Sequence, residues 1–258
     1  VQSFPRLPLP VLRERTFGHD VAAPIVALSD EGLFAQTGVR IAFTERLGGQ
    51  SKGPYESLNL GLHVGDSGGA AIMNHLRLFA ALAIDGSTTI RPKQVHGTTI
   101  LLLDSADEAT VHAISEKAKE GADGVIVTAP GAGAQLCFAD CVPVIIVSPT
   151  GAFAVVHAGW RGVVASIASE AVRKLARIES APSQDEGAPF ASAAAAASSY
   201  NVYIGPYIHT ECFECGPEVV ARFVERFGAA CSPDGHHVDL GGALRVDLAD
   251  AGIDVDHR

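Results

Sequence analysis

Side chains with chemical reach gather at three turn-flanked positions: Gln94-Val95-His96-Gly97, Ala139-Asp140-Cys141, and His157-Ala158-Gly159-Trp160-Arg161-Gly162. Each borders an apolar run of strand character, and strand ends are where side chains emerge into clefts. Two imidazoles and one thiolate are donors that hold Zn²⁺ through three protein ligands while a fourth position stays open to water or substrate. An open position separates a catalytic zinc from a structural one. The set spans 45 residues from His96 to Cys141 and 16 from Cys141 to His157, which matches no short metal-binding signature, so spacing alone does not assemble it. The same residues have plainer uses, Cys141 as a small core residue and the histidines as strand-end hydrogen bonders. Cys141 with either histidine would also suit a thiolate nucleophile and its base.

The elements that must position these groups are short. Cys141 to Trp160 is uncharged and nominally long enough to span a bilayer. Pro143, Pro149, Gly151, His157 and the Ser-Pro-Thr-Gly turn argue instead for two buried strands joined by a hairpin-like connection. Val39 to Thr44, Ile100 to Asp104, Gly124 to Thr128, Ala134 to Phe138 and Asn201 to Ile204 read as further strands of one central sheet system. A long irregular loop begins in the Gly/Ser/Pro-rich segment Gly48 to Pro54. Ala70 to Ala83 reads as an amphipathic helix turning Ile72, Leu76, Phe79, Ala80 and Leu82 inward. Val163 to Arg177 reads as a second, with Val164, Ile167, Ala168, Ala171, Val172 and Leu175 on its apolar face. Pro217 opens a third, whose stripe of Val219, Val220, Phe223, Val224 and Phe227 is closed by Gly228. Ser180 to Ser199, dominated by Ala and Ser, reads as a mobile surface insertion in a single domain over 1–258.

Composition narrows the function. A chain of 258 residues with 47% apolar and 19% charged residues buries a core without metal or disulfide staples. Its 19 Lys and Arg against 29 Asp and Glu give a net charge of −10, which disfavours a nucleic-acid partner. Five cysteines, Cys137, Cys141, Cys212, Cys215 and Cys231, are an odd set best read as reduced thiols, with Cys212-x-x-Cys215 as two ordinary ones. Val1 to Arg15 lacks a signal-peptide core, so the expectation is a cytoplasmic protein with no membrane partner.

Eight ordered motifs carry a resemblance. They are Thr44-Glu45-Arg46 with Gly48-Gly49, Gly53 to Gly61, His63-Val64-Gly65-Asp66, Gln94 to Gly97, Ala122-Asp123-Gly124, Ala139 to Pro143, His157 to Gly162, and Gly205-Pro206. Together, from about Val39 to Val220, the chain resembles the laccase-domain family. That family is also called the multicopper polyphenol oxidoreductase, purine nucleoside phosphorylase-type or peptidoglycan editing factor family. The resemblance implies a metal site of His96, Cys141 and His157, described as zinc. It also implies purine nucleosides (adenosine, inosine, methylthioadenosine) and phosphate as partners, phosphorolysis as the reaction, and adenosine deamination as a companion activity. The implied fold is α/β (α+β), a layered sheet sandwich flanked by helices and similar to cytotoxic necrotizing factors. Three features depart from the family: His75 follows Asn74 where arginine is common, Cys215 stands where an aliphatic residue is usual, and the sequence given ends at Arg258, before an aromatic, arginine-bearing segment.

Chemistry weighs these inherited labels. A multicopper oxidase needs several metals and many histidines, whereas two of the ten histidines look like ligands and one Met is present, so zinc is preferred to copper. Deamination has a direct mechanism through metal-activated water. For phosphorolysis, Arg46 and Arg161 are candidates to clamp phosphate or ribose, because guanidinium forks match oxyanions. Asn59 is a candidate to orient a hydroxyl or purine edge, and Asp140 to hold a histidine tautomer or act as a base alongside Cys141, His96 and His157. The rival readings are a Cys-His hydrolase or peptidoglycan-precursor editing enzyme with Cys141 as nucleophile, and a non-enzymatic partner-binding protein with a structural metal.

Overall fold

The computed structural model describes residues 6–18, 24–182 and 190–255. In chain order the first half contains β1 (Arg13–Phe17), β2 (Ile25–Ser29), α1 (Glu31–Thr37), β3 (Phe43–Thr44), α2 (Gly68–Leu82), β4 (Thr89–Ile90), β5 (Ile100–Leu103), α3 (Glu108–Glu120) and β6 (Gly124–Val127). The second contains β7 (Gly133–Ala134), β8 (Val142–Val147), β9 (Phe153–Ala158), α4 (Trp160–Val164), α5 (Ile167–Ser180), α6 (Ala193–Ala197), β10 (Asn201–Ile204), α7 (Pro217–Phe227) and α8 (Leu240–Asp250).

The central sheet has the order β10-β8-β9-β6-β5. Its pairs are antiparallel except β5 with β6. Every residue of β8 is buried, which explains its unbroken apolar run: both faces of the strand are covered. One face sends Val142, Val144 and Ile146, with Ala154 and Val156 of β9, against α5 and α8 through Ile167, Val172, Leu175, Leu244 and Leu248. The other sends Ile145, Val147 and Val155 against Leu33, Ile41, Phe43 and Leu103. That second layer includes the three-stranded sheet β1-β2-β3, and β4 and β7 form a short parallel pair beside it. The fold is therefore mixed α/β with layered sheets, as the sequence implies. No helix among the described residues is long and apolar enough to cross a membrane.

Four expectations change. The runs Val39 to Thr44 and Ala134 to Phe138, expected in one central sheet system, pair as strand only at Phe43–Thr44 and at Ala134, in two sheets separate from the central one, and the remainder passes as loop beside the cavity. The helix expected over Val163 to Arg177 is two helices, broken where Ser166 takes a left-handed φ of 62°. α2 forms, but Ile72 and Leu76 are 55% and 56% exposed, while Asn74 and His75 face inward. Asn74 is fully buried because its amide accepts from Gln50 N–H and donates to Ser51 Oγ and the Ser57 and Asn59 carbonyls, satisfying backbone of the 48–61 loop. Lastly, the alanine run, for which the sequence allows weak helicity, is helix α6, capped by Ser192, and it packs into the helical core through Ala196 and Ala197 rather than lying free on the surface. Residues 183–189 of the expected mobile stretch lie outside the described residues.

Candidate metal centre

The β8–β9 register opposes Pro143 to His157 and Val142 to Ala158, so Cys141, just before β8, and His157, near the end of β9, occupy the same sheet end. His96 arrives on the loop before β5 in a left-handed conformation, φ 58°. A non-glycine residue there is held by surrounding contacts. Those contacts come from Asp123, which precedes β6. Its carboxylate accepts the N–H groups of Val95 (3.2 Å), His96 (2.9 Å) and Gly97 (2.7 Å) and also pairs with His157 Nδ1 at 2.7 Å. The Asp123 carbonyl accepts His157 N–H. One buried residue thus fixes the backbone of one candidate ligand and the ring of another.

The ligand atoms of His96, Cys141 and His157 all lie within 4.8 Å of one another. A tetrahedral zinc needs ligand atoms about 3.5 Å apart, so a side-chain adjustment of about 1 Å closes the set. Gly159 supplies the room. A Cβ there would stand 2.8 Å from His96 Cδ2 and 3.1 Å from Cys141 Sγ, although its φ of −68° is open to any residue. The need for glycine is spatial, not conformational. Thiolate and imidazole donors with a bare glycine between them fit a zinc-sized ion, and no fourth His, Cys, Asp or Glu joins the cluster among the described residues.

Electrostatics separates the two imidazoles. Burial pulls His157 down, but its bonds to Asp123 and Cys141 and the nearby negative charges prevail and raise it to about 9. His96 is lowered, first by burial and then by the His157 charge, against an opposing pull from Asp123, with Arg161 adding a lesser push downward. Burial of Asp123 is outweighed by His157 and the three backbone donors, so its carboxyl lies below the ordinary range. Asp123 therefore stays anionic and fixes the His157 proton on Nδ1, turning Nε2 toward the other ligands. The sequence reading assigned that task to Asp140. Asp140 is instead exposed, at φ 73°, and its carbonyl accepts Ile208 N–H. A buried Asp directly before a strand, in Ala122-Asp123-Gly124, was the available signal.

A cavity of about 1640 Å³ opens beside the cluster, lined by His96, Cys141, His157, Phe138, Arg46 and Asn59 among others. Arg46 donates through Nε and Nη2 to the Glu56 carbonyl, which uses two of its five N–H groups and leaves donors for an oxyanion. Asn59 is committed at both ends of its amide, accepting from Gly61 N–H and donating to Asp66, whose carboxylate also accepts from Ser51. Arg161 lies outside that lining; its guanidinium stacks 4.3 Å above the Trp160 ring, and Trp160 packs on the helical core. The structure thus brings His96, Cys141 and His157 together, sets Arg46 and Asn59 along the same cavity, and leaves Asp140 and Arg161 at its margin.

The chain is similar to several known proteins. Purine nucleoside phosphorylase YlmD of Geobacillus stearothermophilus is 32% identical over 228 residues, covering 85% of this chain and 78% of its own. Adenosine deaminase RL5, from an unknown prokaryotic organism, is 32% identical over 227 residues, covering 84% and 80%. The crystal structure of YlmD superposes with a TM-score of 0.71 at 28% identity over 98% of this chain and 87% of that one. The hypothetical protein YfiH of Bacillus licheniformis shares the fold, with a TM-score of 0.74 at 24% identity, over 93% and 86%. Residues 40–258 match the family described as multi-copper polyphenol oxidoreductase laccase. The chain belongs to that family.

Proposed function

We propose that the chain is a zinc-dependent purine nucleoside phosphorylase with companion adenosine deaminase activity, acting on adenosine, inosine and methylthioadenosine. The supporting observation is the convergence of one sulfur and two imidazoles at the wall of a cavity large enough for a nucleoside with phosphate. Bound zinc supplies Lewis-acid polarisation and activation of water. The chain does the rest. Asp123 holds the His157 tautomer, and Gly159 keeps the space between the ligands clear. Arg46 offers its remaining donors to phosphate oxygens, and Asn59, whose amide nitrogen is spent on Gly61 and Asp66, has only the second lone pair of its Oδ1 to offer a ribose hydroxyl or base amine. Phe138, whose ring lies 5.6 Å from that of His157, walls the site against water. Arg161 adds positive charge near His96 as charge redistributes between sugar and phosphate. Asp140, exposed and outside the cavity lining but next to Cys141, is the remaining candidate for a base. The five free thiols suit a reducing, cytoplasmic setting.

The test is incubation of zinc-loaded protein with adenosine or inosine, with and without phosphate. Ribose-1-phosphate should form only with phosphate, and inosine should form from adenosine without it. No product above a Cys141→Ala control would sink the reading. The contact between His157 and Cys141 also favours a second reading, a thiolate nucleophile with its imidazolium partner. A covalent substrate adduct on Cys141 would support it, and stoichiometric zinc lost on His96→Ala would exclude it.

A further inference from the structure

The loop that carries His96 is tied to the centre twice. Asp123 makes the tie toward His157. The second runs from Gln94, two residues before His96, to Cys137, four residues before Cys141. Gln94 Nε2 donates to the Cys137 carbonyl at 2.7 Å, and Gln94 Oε1 accepts the Cys137 N–H at 2.8 Å. This pair of bonds clamps a side-chain amide to a single backbone residue across 43 positions of sequence. The segment it grips has little regular structure: β7 stops at Ala134, β8 starts at Val142, and a turn closes from Cys141 N–H to the Ala139 carbonyl. Its other anchors near this point are the Gln135 N–H bond to the Ile90 carbonyl, the Gln135 Oε1 contact with His75 Nδ1, the Cys137 Sγ bond to the Leu60 carbonyl at 3.4 Å, and the Asp140 carbonyl, which accepts Ile208 N–H.

We propose that Gln94 is a positioning residue that sets the separation of His96 from Cys141 and thereby the affinity and geometry of the metal centre. The proposal rests on the metal reading of that cluster, not on the identity of the substrate. A ligand set that must contract from 4.8 Å to tetrahedral spacing tolerates little drift between its loops. Asp123 cannot correct such drift, because its bonds reach the His96 loop and His157 and not the Cys137–Cys141 segment. Without the amide pair, the His96 loop loses its direct tie to the Cys137–Cys141 segment, and the separation of Cys141 from His96 is left to the β8–β9 register and the Asp140–Ile208 bond alone. Loss of outer partners of this kind lowers metal affinity about 10–100-fold.

The experiment compares zinc affinity by chelator competition, without nucleoside, for the parent chain, Gln94→Leu and Gln94→Glu. The leucine variant keeps much of the volume and removes both bonds; the glutamate variant keeps the acceptor for Cys137 N–H and loses the donor to its carbonyl. The expected result is a drop of about 10–100-fold for leucine and a smaller one for glutamate. The cobalt-substituted leucine variant should also show a weakened thiolate-to-metal charge-transfer band, which a merely structural role would not move. Ser148→Ala, at the far end of the hairpin, should lower thermal stability without changing affinity or spectrum. Parent affinity and an unchanged cobalt spectrum in either folded Gln94 variant overturn the proposal, with glutamate deciding if leucine does not fold. A parent chain that binds no zinc overturns it together with the metal reading. A parent that binds zinc without cleaving nucleosides overturns only the proposed activity.

Discussion

At the turn end of the β8–β9 hairpin, the Glu179 carboxylate accepts hydrogen bonds from the hydroxyls of Ser148, Thr150 and Tyr200. At the opposite end, Asp123 accepts three backbone N–H groups and pairs with His157. Both carboxylates are buried, yet burial wins at Glu179, which is raised, while the donors win at Asp123, which is lowered. The Glu179 donors are neutral hydroxyls absorbed in tying the turn to α5 and to the start of β10. At Asp123 one partner is an imidazole with a second nitrogen to spare, and that nitrogen meets a sulfur and another imidazole; the cavity does not separate the two ends, since Thr150 and Glu179 line it too. A buried carboxylate network therefore becomes a site when its donors carry unused chemistry outward.

The largest expected effect comes from Cys141→Ala, which should reduce zinc from one ion per chain to background and abolish phosphorolysis, whereas Glu179→Gln keeps both; elemental analysis decides. Next is pH. In the metal-free chain the raised His157 stabilises the fold fully below its ordinary value of 6.5, and that contribution disappears as pH climbs through about 9. Metal must displace that proton, so zinc affinity should fall up to about tenfold per pH unit below 9, with protons released on binding. Calorimetry in buffers of different ionisation enthalpy counts them; pH-independent affinity from 6 to 9 would refute the coupling. Asp123→Asn ranks third, lowering zinc affinity about 10–100-fold in chelator competition by freeing the His157 ring. Glu179→Ala is the smallest, a stability loss of about 1–3 kcal/mol seen as a lower Tm with zinc affinity unchanged.

Much of this architecture was readable in the chain. The Ser-Pro-Thr-Gly turn and its flanking apolar runs announced the hairpin, and Pro217 and Gly228 bracketed α7. On α2 the sequence placed Phe79 and Leu82 inward correctly but not Ile72 and Leu76, because hydropathy scores both as core while the 48–61 loop needs the hydrogen-bonding capacity of Asn74. The break at Ser166 carries no Gly or Pro to mark it. At the site, the three ligand types were legible and their convergence was not, because it depends on strand register. Asp140 drew attention by adjoining Cys141 in sequence, whereas Asp123 does its work from a neighbouring strand and through backbone donors that no residue type discloses.

The three candidate ligands come from segments that meet only once the sheet has closed. An unfolded chain offers isolated thiols and imidazoles, so on the metal reading tight capture of an ion would be reserved for molecules whose hairpin, preceding loops and Asp123 have all docked. Metal occupancy in a preparation would then double as a headcount of correctly assembled molecules, and withdrawing the ion would loosen the very region that has to recapture it.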